Sequence, residues 1–63
     1  MLGKNLRRIR TEQRYTRKQL ADLCGCTATT IRNIEVGEND NPRIKTLISL
    51  SKVLKVSIKT LIK

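Results

Sequence analysis

Apolar side chains recur along this chain at intervals of three and four residues, broken by short polar stretches. Leu2, Leu6 and Ile9 fall on one face of a helix expected over about residues 2–13, with Gln13 extending the row. Arg7, Arg8 and Arg14 lie elsewhere on or just beyond that cylinder. Thr16 and Gln19 then have the spacing of a capping box, and Tyr15 and Leu20 that of a hydrophobic staple. A second helix is expected over residues 17–24, ended by Gly25, the residue best able to take positive φ there. Thr27 is the next N-cap. Ile31 and Ile34 form the inward pair of a third helix over residues 28–36. After the polar loop Glu38-Asn39-Asp40-Asn41-Pro42, a fourth helix over residues 43–54 draws its apolar stripe from Ile44, Leu47, Ile48 and Leu54. Ser57 caps a short fifth helix over residues 58–62, with Val56 and Leu61 as a second staple pair. No segment alternates as a strand does. The expected fold is all-α, a compact bundle of five helices in one domain spanning residues 1–63.

Residues 17–36 hold the arrangement that matters most: a helix, a tight turn holding a glycine, and a second helix, which is the helix-turn-helix unit. Close crossing of two helices needs a small residue at the contact, and Ala21 supplies it. With Ile31 and Ile34 turned inward, Thr27, Ala28, Thr29, Arg32, Asn33 and Val36 are left pointing away from the core.

Composition narrows what such a surface can meet. The 63 residues carry 14 Lys and Arg against 5 Asp and Glu, a net charge of +9. So basic a chain is suited to a polyanion, either nucleic acid or an acidic membrane surface. The membrane reading ranks last, because the apolar stripes are needed for the core and no apolar run is long enough to span. Arginine dominates the first twenty residues, and its planar fork suits phosphate better than lysine does. The core must be aliphatic, since the chain has one Tyr and no Phe or Trp. With no histidine, Cys24 and Cys26 cannot complete a four-ligand zinc site, so no metal or cofactor is expected. A disulfide across one intervening residue would be strained, and free thiols suit the reducing interior of a cell. An enzyme is excluded by the lack of histidine, of an acid–base pair and of a phosphate-cradling loop; no small-molecule substrate is expected.

Arg10, Gln19-Leu20-Ala21, Gly25, Thr27, Ile31, Ile34-Glu35, Gly37, Pro42, Leu47, Val56-Ser57-Ile58 and Leu61-Ile62, in this order and spacing, give the chain its likeness to a known family. It resembles the phage repressor and Cro family of helix-turn-helix domains (the XRE, lambda-repressor-like type) over essentially its whole length. The resemblance implies a five-helix DNA-binding domain of a transcriptional regulator, mostly a dimeric repressor at paired operator half-sites. It also implies a structural ion pair between Arg10 and Glu35, clamping the reading helix. Arg43, after the loop, is the family's other contact to the DNA backbone or minor groove.

On this reading the third helix lies in the major groove. Thr27, Ala28, Thr29, Arg32 and Asn33 are the base-reading candidates. Arg32 suits guanine O6 and N7, Asn33 suits adenine N6 and N7, and Ala28 and Thr29 offer methyl groups to thymine. Thr29 has phosphate as its alternative partner. Phosphate contacts are expected from Thr16, Arg17, Lys18 and Gln19, where the second helix's N-terminus favours an anion, and from Arg14 and Arg43, with Lys4 a weaker candidate. Glu38 and Asp40 run against this picture unless they turn outward or pair with Arg43 or Lys45. Ile58, Leu61 and Ile62 are candidates for a dimer contact, with core packing as the alternative for Leu61 and Ile62. Double-stranded DNA and a weak homodimer, strengthened on DNA, are the expected partners, and the cytoplasm, at the nucleoid, is the expected location. The rival readings are a protein-interaction module or antitoxin-like subunit on the same fold, and a non-specific nucleic-acid binder.

Overall fold

A computed structural model describes residues 2–39 and 41–62. Among them are five α-helices and no strand: α1 Leu2–Glu12, α2 Arg17–Cys24, α3 Ala28–Glu35, α4 Ile44–Leu54 and α5 Ile58–Ile62. Local chemistry sets their ends. Thr16 Oγ1 accepts from the Gln19 N–H at 3.0 Å while Gln19 Oε1 accepts from the Thr16 N–H at 2.9 Å, the reciprocal box that the sequence predicts. Gly25 closes α2 at φ 73°, where an L side chain would be strained, and donates its N–H to Ala21 O. Thr27 and Ser57 cap α3 and α5 by accepting from the N–H groups of Thr30 and Thr60.

Some boundaries move inward by one residue. Gln13, Val36 and Arg43 lie just outside the helices expected to include them; Val36 is the C-cap of α3 and Arg43 the N-cap of α4. Arg43 makes no side-chain capping bond, having only donors to offer.

Every helix contributes to one core. Leu6 and Ile9 meet Leu20 and Ala21, Ile31 and Ile34, Leu50 and Leu54, and Leu61, with Tyr15, Cys24, Cys26, Val53 and Val56 packed against them. Here the fourth helix corrects the expected stripe. Ile44 and Ile48 are 64% and 41% exposed, and Leu50 takes the buried place beside Leu54. The helix is apolar around more than half its girth, and tertiary packing selects which sector turns inward.

Polar side chains tie α1 to the far end of the bundle. Asn5 Nδ2 donates to Leu61 O at 3.0 Å, and Gln13 Nε2 donates to Leu54 O at 2.6 Å, so carbonyls at the ends of α5 and α4 gain partners. Gly3 has a different task. A Cβ there would sit 2.6 Å from Ile34 O and 2.8 Å from Glu35 O, so only glycine lets α1 approach the C-terminal turn of α3 this closely. Among the described residues no helix is long and apolar enough to cross a membrane.

Candidate nucleic-acid interface

The third helix buries Ile31, Ile34 and Glu35 and turns its other side outward. At 100° per residue, Thr29, Arg32 and Asn33 share the face opposite that buried set, and Ala28 lies on its flank. Thr29 and Arg32 are exposed, Ala28 and Asn33 half-buried. Val36, just past the helix end, is exposed too. Thr27 is exposed, but its hydroxyl is committed to capping: it accepts from Thr30 N–H at 3.2 Å and lies 3.0 Å from the Thr30 hydroxyl. The proposed readers therefore come together on one surface, with Thr27 at its edge.

Glu35 holds this helix in place. Its side chain is completely buried and accepts from Arg10 Nε at 2.6 Å, Arg10 Nη2 at 3.2 Å and Arg17 Nε at 3.0 Å. Arg10 also donates through Nη1 to Tyr15 O at 2.7 Å. The ion pair expected between Arg10 and Glu35 thus exists as a bidentate fork. The second arginine was not expected there. Arg17, read as a phosphate ligand, directs its Nε to the buried carboxylate, because two helix ends converge on Glu35 and one guanidinium leaves it short of partners. No local spacing signals this contact, which joins residues eighteen apart.

The phosphate candidates around α2's N-terminus keep useful chemistry. The capping box uses one lone pair each of Thr16 Oγ1 and Gln19 Oε1 and none of their hydrogens, so both side chains keep a donor: a hydroxyl hydrogen and an amide NH₂. Lys18 is exposed beside them. Arg14, at φ 63°, borders a shallow hollow with Tyr15, Gln19, Asp22 and Leu23. Arg43 stands apart from that cluster, bordering the turn residues Cys24, Gly25 and Cys26. Lys4 is exposed on α1.

Glu38 pairs with neither Arg43 nor Lys45. Its carboxylate lies 3.5 Å from Arg32 Nη1. Asp40 falls outside the described residues. Leu61 is fully buried in the core and has no surface left for a dimer contact, whereas Ile62 is 52% exposed and Ile58 half-buried. Cys24 and Cys26 are free thiols. Burial, with the neighbouring Cys26 adding to it, raises Cys24 to about 11, and burial raises Cys26 as well; both stay protonated at neutral pH.

Comparison with known proteins finds the same fold and family. The family model described as helix-turn-helix matches residues 6–61. The SPbeta prophage-derived uncharacterized HTH-type transcriptional regulator YonR of Bacillus subtilis is 36% identical over 63 residues, all of this chain and 57% of that protein. The HTH-type transcriptional regulator SinR of Bacillus subtilis is 34% identical over 62 residues, 98% of this chain and 56% of that protein. The chain spans about half the length of these relatives. Among solved structures, SinR in complex with DNA superposes with a TM-score of 0.94 at 33% identity, covering 100% of both chains.

Proposed function

This chain belongs to the helix-turn-helix family, and from that membership we propose that it is a sequence-specific regulator of transcription. It is not an enzyme. It binds double-stranded DNA with α3 in the major groove. Arg32 and Asn33 are the hydrogen-bonding readers, Ala28 and Thr29 the methyl-bearing ones, and Thr27 sits at the margin. The donors left on Thr16 and Gln19, with Lys18, Arg14, Arg43 and the part of Arg17 not engaged by Glu35, contact phosphate and set register.

The observation that carries this reading is the shared outward face of Thr29, Arg32 and Asn33, on a helix anchored from behind by the buried Glu35. The likeness over the whole chain to a domain solved with DNA supports it. One such domain covers one half-site. Repression through a palindromic operator then needs two copies about one helical turn apart. Ile62 and Ile58 are the contacts proposed for that weak dimer, which DNA strengthens. Its place in the cell is the cytoplasm, at the nucleoid.

Selection of bound duplexes from a random DNA pool at physiological salt tests the proposal. Enrichment of a palindrome with half-sites about ten base pairs apart is expected. Binding that fades with salt and enriches no sequence would reduce the function to phosphate contacts alone.

A further inference from the structure

Among the described residues, Arg32 finds partners for only one of its three guanidinium nitrogens. Nη1 donates to Asn33 Oδ1 at 3.1 Å and to Glu38 Oε2 at 3.5 Å. That nitrogen carries two hydrogens, so both are engaged. Nε and Nη2 have no protein partner among the described residues, and together they form the edge of an arginine that can grip two acceptors at once.

The carboxylate is presented by a loop folded back on the reading helix. Gly37 donates its N–H to Ile34 O at 3.3 Å, and Asn39 donates its N–H to Asn33 O at 3.0 Å. Glu38 lies between these two anchors. Asn39 Oδ1 in turn accepts from Asn41 N–H at 3.2 Å. An acidic residue on a phosphate-facing surface would ordinarily weaken binding, yet this one has its backbone anchored on both sides and its exposed carboxylate 3.5 Å from Arg32 Nη1.

We propose that Glu38 is a positioning residue for Arg32, holding one side of the guanidinium so that the Nε–Nη2 edge is free and oriented for a two-point contact with guanine. The inference rests on the proposal that α3 reads base edges. An arginine held in one rotamer before binding loses less freedom when it docks, and it discriminates better because it cannot swing to a nearby phosphate. Glu38 thus lowers affinity for DNA in general and raises discrimination at one base pair.

The test uses the duplex that the wild-type protein enriches from a random pool, the same duplex with its least replaceable guanine changed, and a scrambled duplex. Glu38→Gln should tighten binding to the scrambled duplex about 2–5-fold, since one negative charge leaves the phosphate-facing surface. The ratio of affinities for the guanine and changed duplexes should fall about 3–10-fold, part of what a bidentate contact supplies. In an Arg32→Ala background the same change should leave that ratio where Arg32→Ala alone puts it. If all three duplexes tighten equally, Glu38 acts only by repelling phosphate and the proposal is overturned. A ratio that rises overturns it too, making Glu38 a competitor for Arg32. Should Arg32→Ala itself leave the ratio intact, or no sequence be enriched, the base-reading role is what fails.

Discussion

Replacing Glu35 with alanine should cost this domain a large part of its stability. The carboxylate is fully buried and receives three hydrogen bonds from two arginines. Its removal leaves Arg10, only 13% exposed at its side chain, with one carbonyl partner and an uncompensated charge. Breaking a buried pair from one side costs about 3–5 kcal/mol. Arg17, 37% exposed, can turn to water and adds little. A domain of this size has roughly 3–9 kcal/mol in total. Glu35→Ala should therefore lower the midpoint of thermal unfolding by at least about 12 °C, at about 4–8 °C per kcal/mol. The double variant Arg10→Met/Glu35→Leu should recover most of that loss, since an apolar pair of similar volume replaces a buried ion pair at little cost. Circular dichroism at the helical band, followed against temperature and urea, reads both. A loss below about 1 kcal/mol for Glu35→Ala would place the pair in the class of solvated surface bridges and refute the reasoning. So would a double variant no more stable than Glu35→Ala.

Gly3→Ala should destabilise, although alanine is the better helix former by about 1 kcal/mol. Its Cβ would fall within 3 Å of two α3 carbonyl oxygens, and the overpacking penalty of about 1–3 kcal/mol should outweigh the gain, which a thermal melt would show as a lower midpoint. Lys55→Gly should do the reverse. Lys55 ends α4 at φ 58°, a conformation costing a non-glycine residue about 1–2 kcal/mol, so the urea midpoint should rise despite the more flexible unfolded chain. Cys24 holds its proton to about pH 11 in the fold, while the unfolded thiol releases it near the ordinary 9.0. The native state thus binds more protons between these values, and stability falls as pH rises through that window. Comparing urea midpoints of the wild type and Cys24→Ala across it should show the steeper decline in the wild type.

The elements were legible wherever their cause is local. The capping box of Thr16 and Gln19 and the left-handed turn at Gly25 depend on a few adjacent residues, and the structure has both where the spacing puts them. The inward pair Ile31 and Ile34 was readable because α3 has few apolar residues to choose from. The fourth helix has too many, so periodicity favoured Ile44 and Ile48 where packing chose Leu50. Gly3 shows no signal in the sequence beyond being a glycine in a helix, since its need arises from carbonyls some thirty residues away. The outward set on α3 followed from knowing the inward one. What Arg17 and Glu38 touch did not, because an arginine on a surface has several reachable carboxylates and only the folded chain ranks them.

The central claim, that the outward face of α3 meets DNA, is tested most directly by amide chemical-shift mapping of the isotope-labelled protein against the enriched duplex. The account predicts the largest shifts at Thr27–Asn33 and at the N-terminal turn of α2, with the core residues Leu6, Leu50 and Leu54 little changed. Shifts gathered instead on α5 and the exposed side of α4, with α3 silent, would contradict it and make this fold a platform for some other partner.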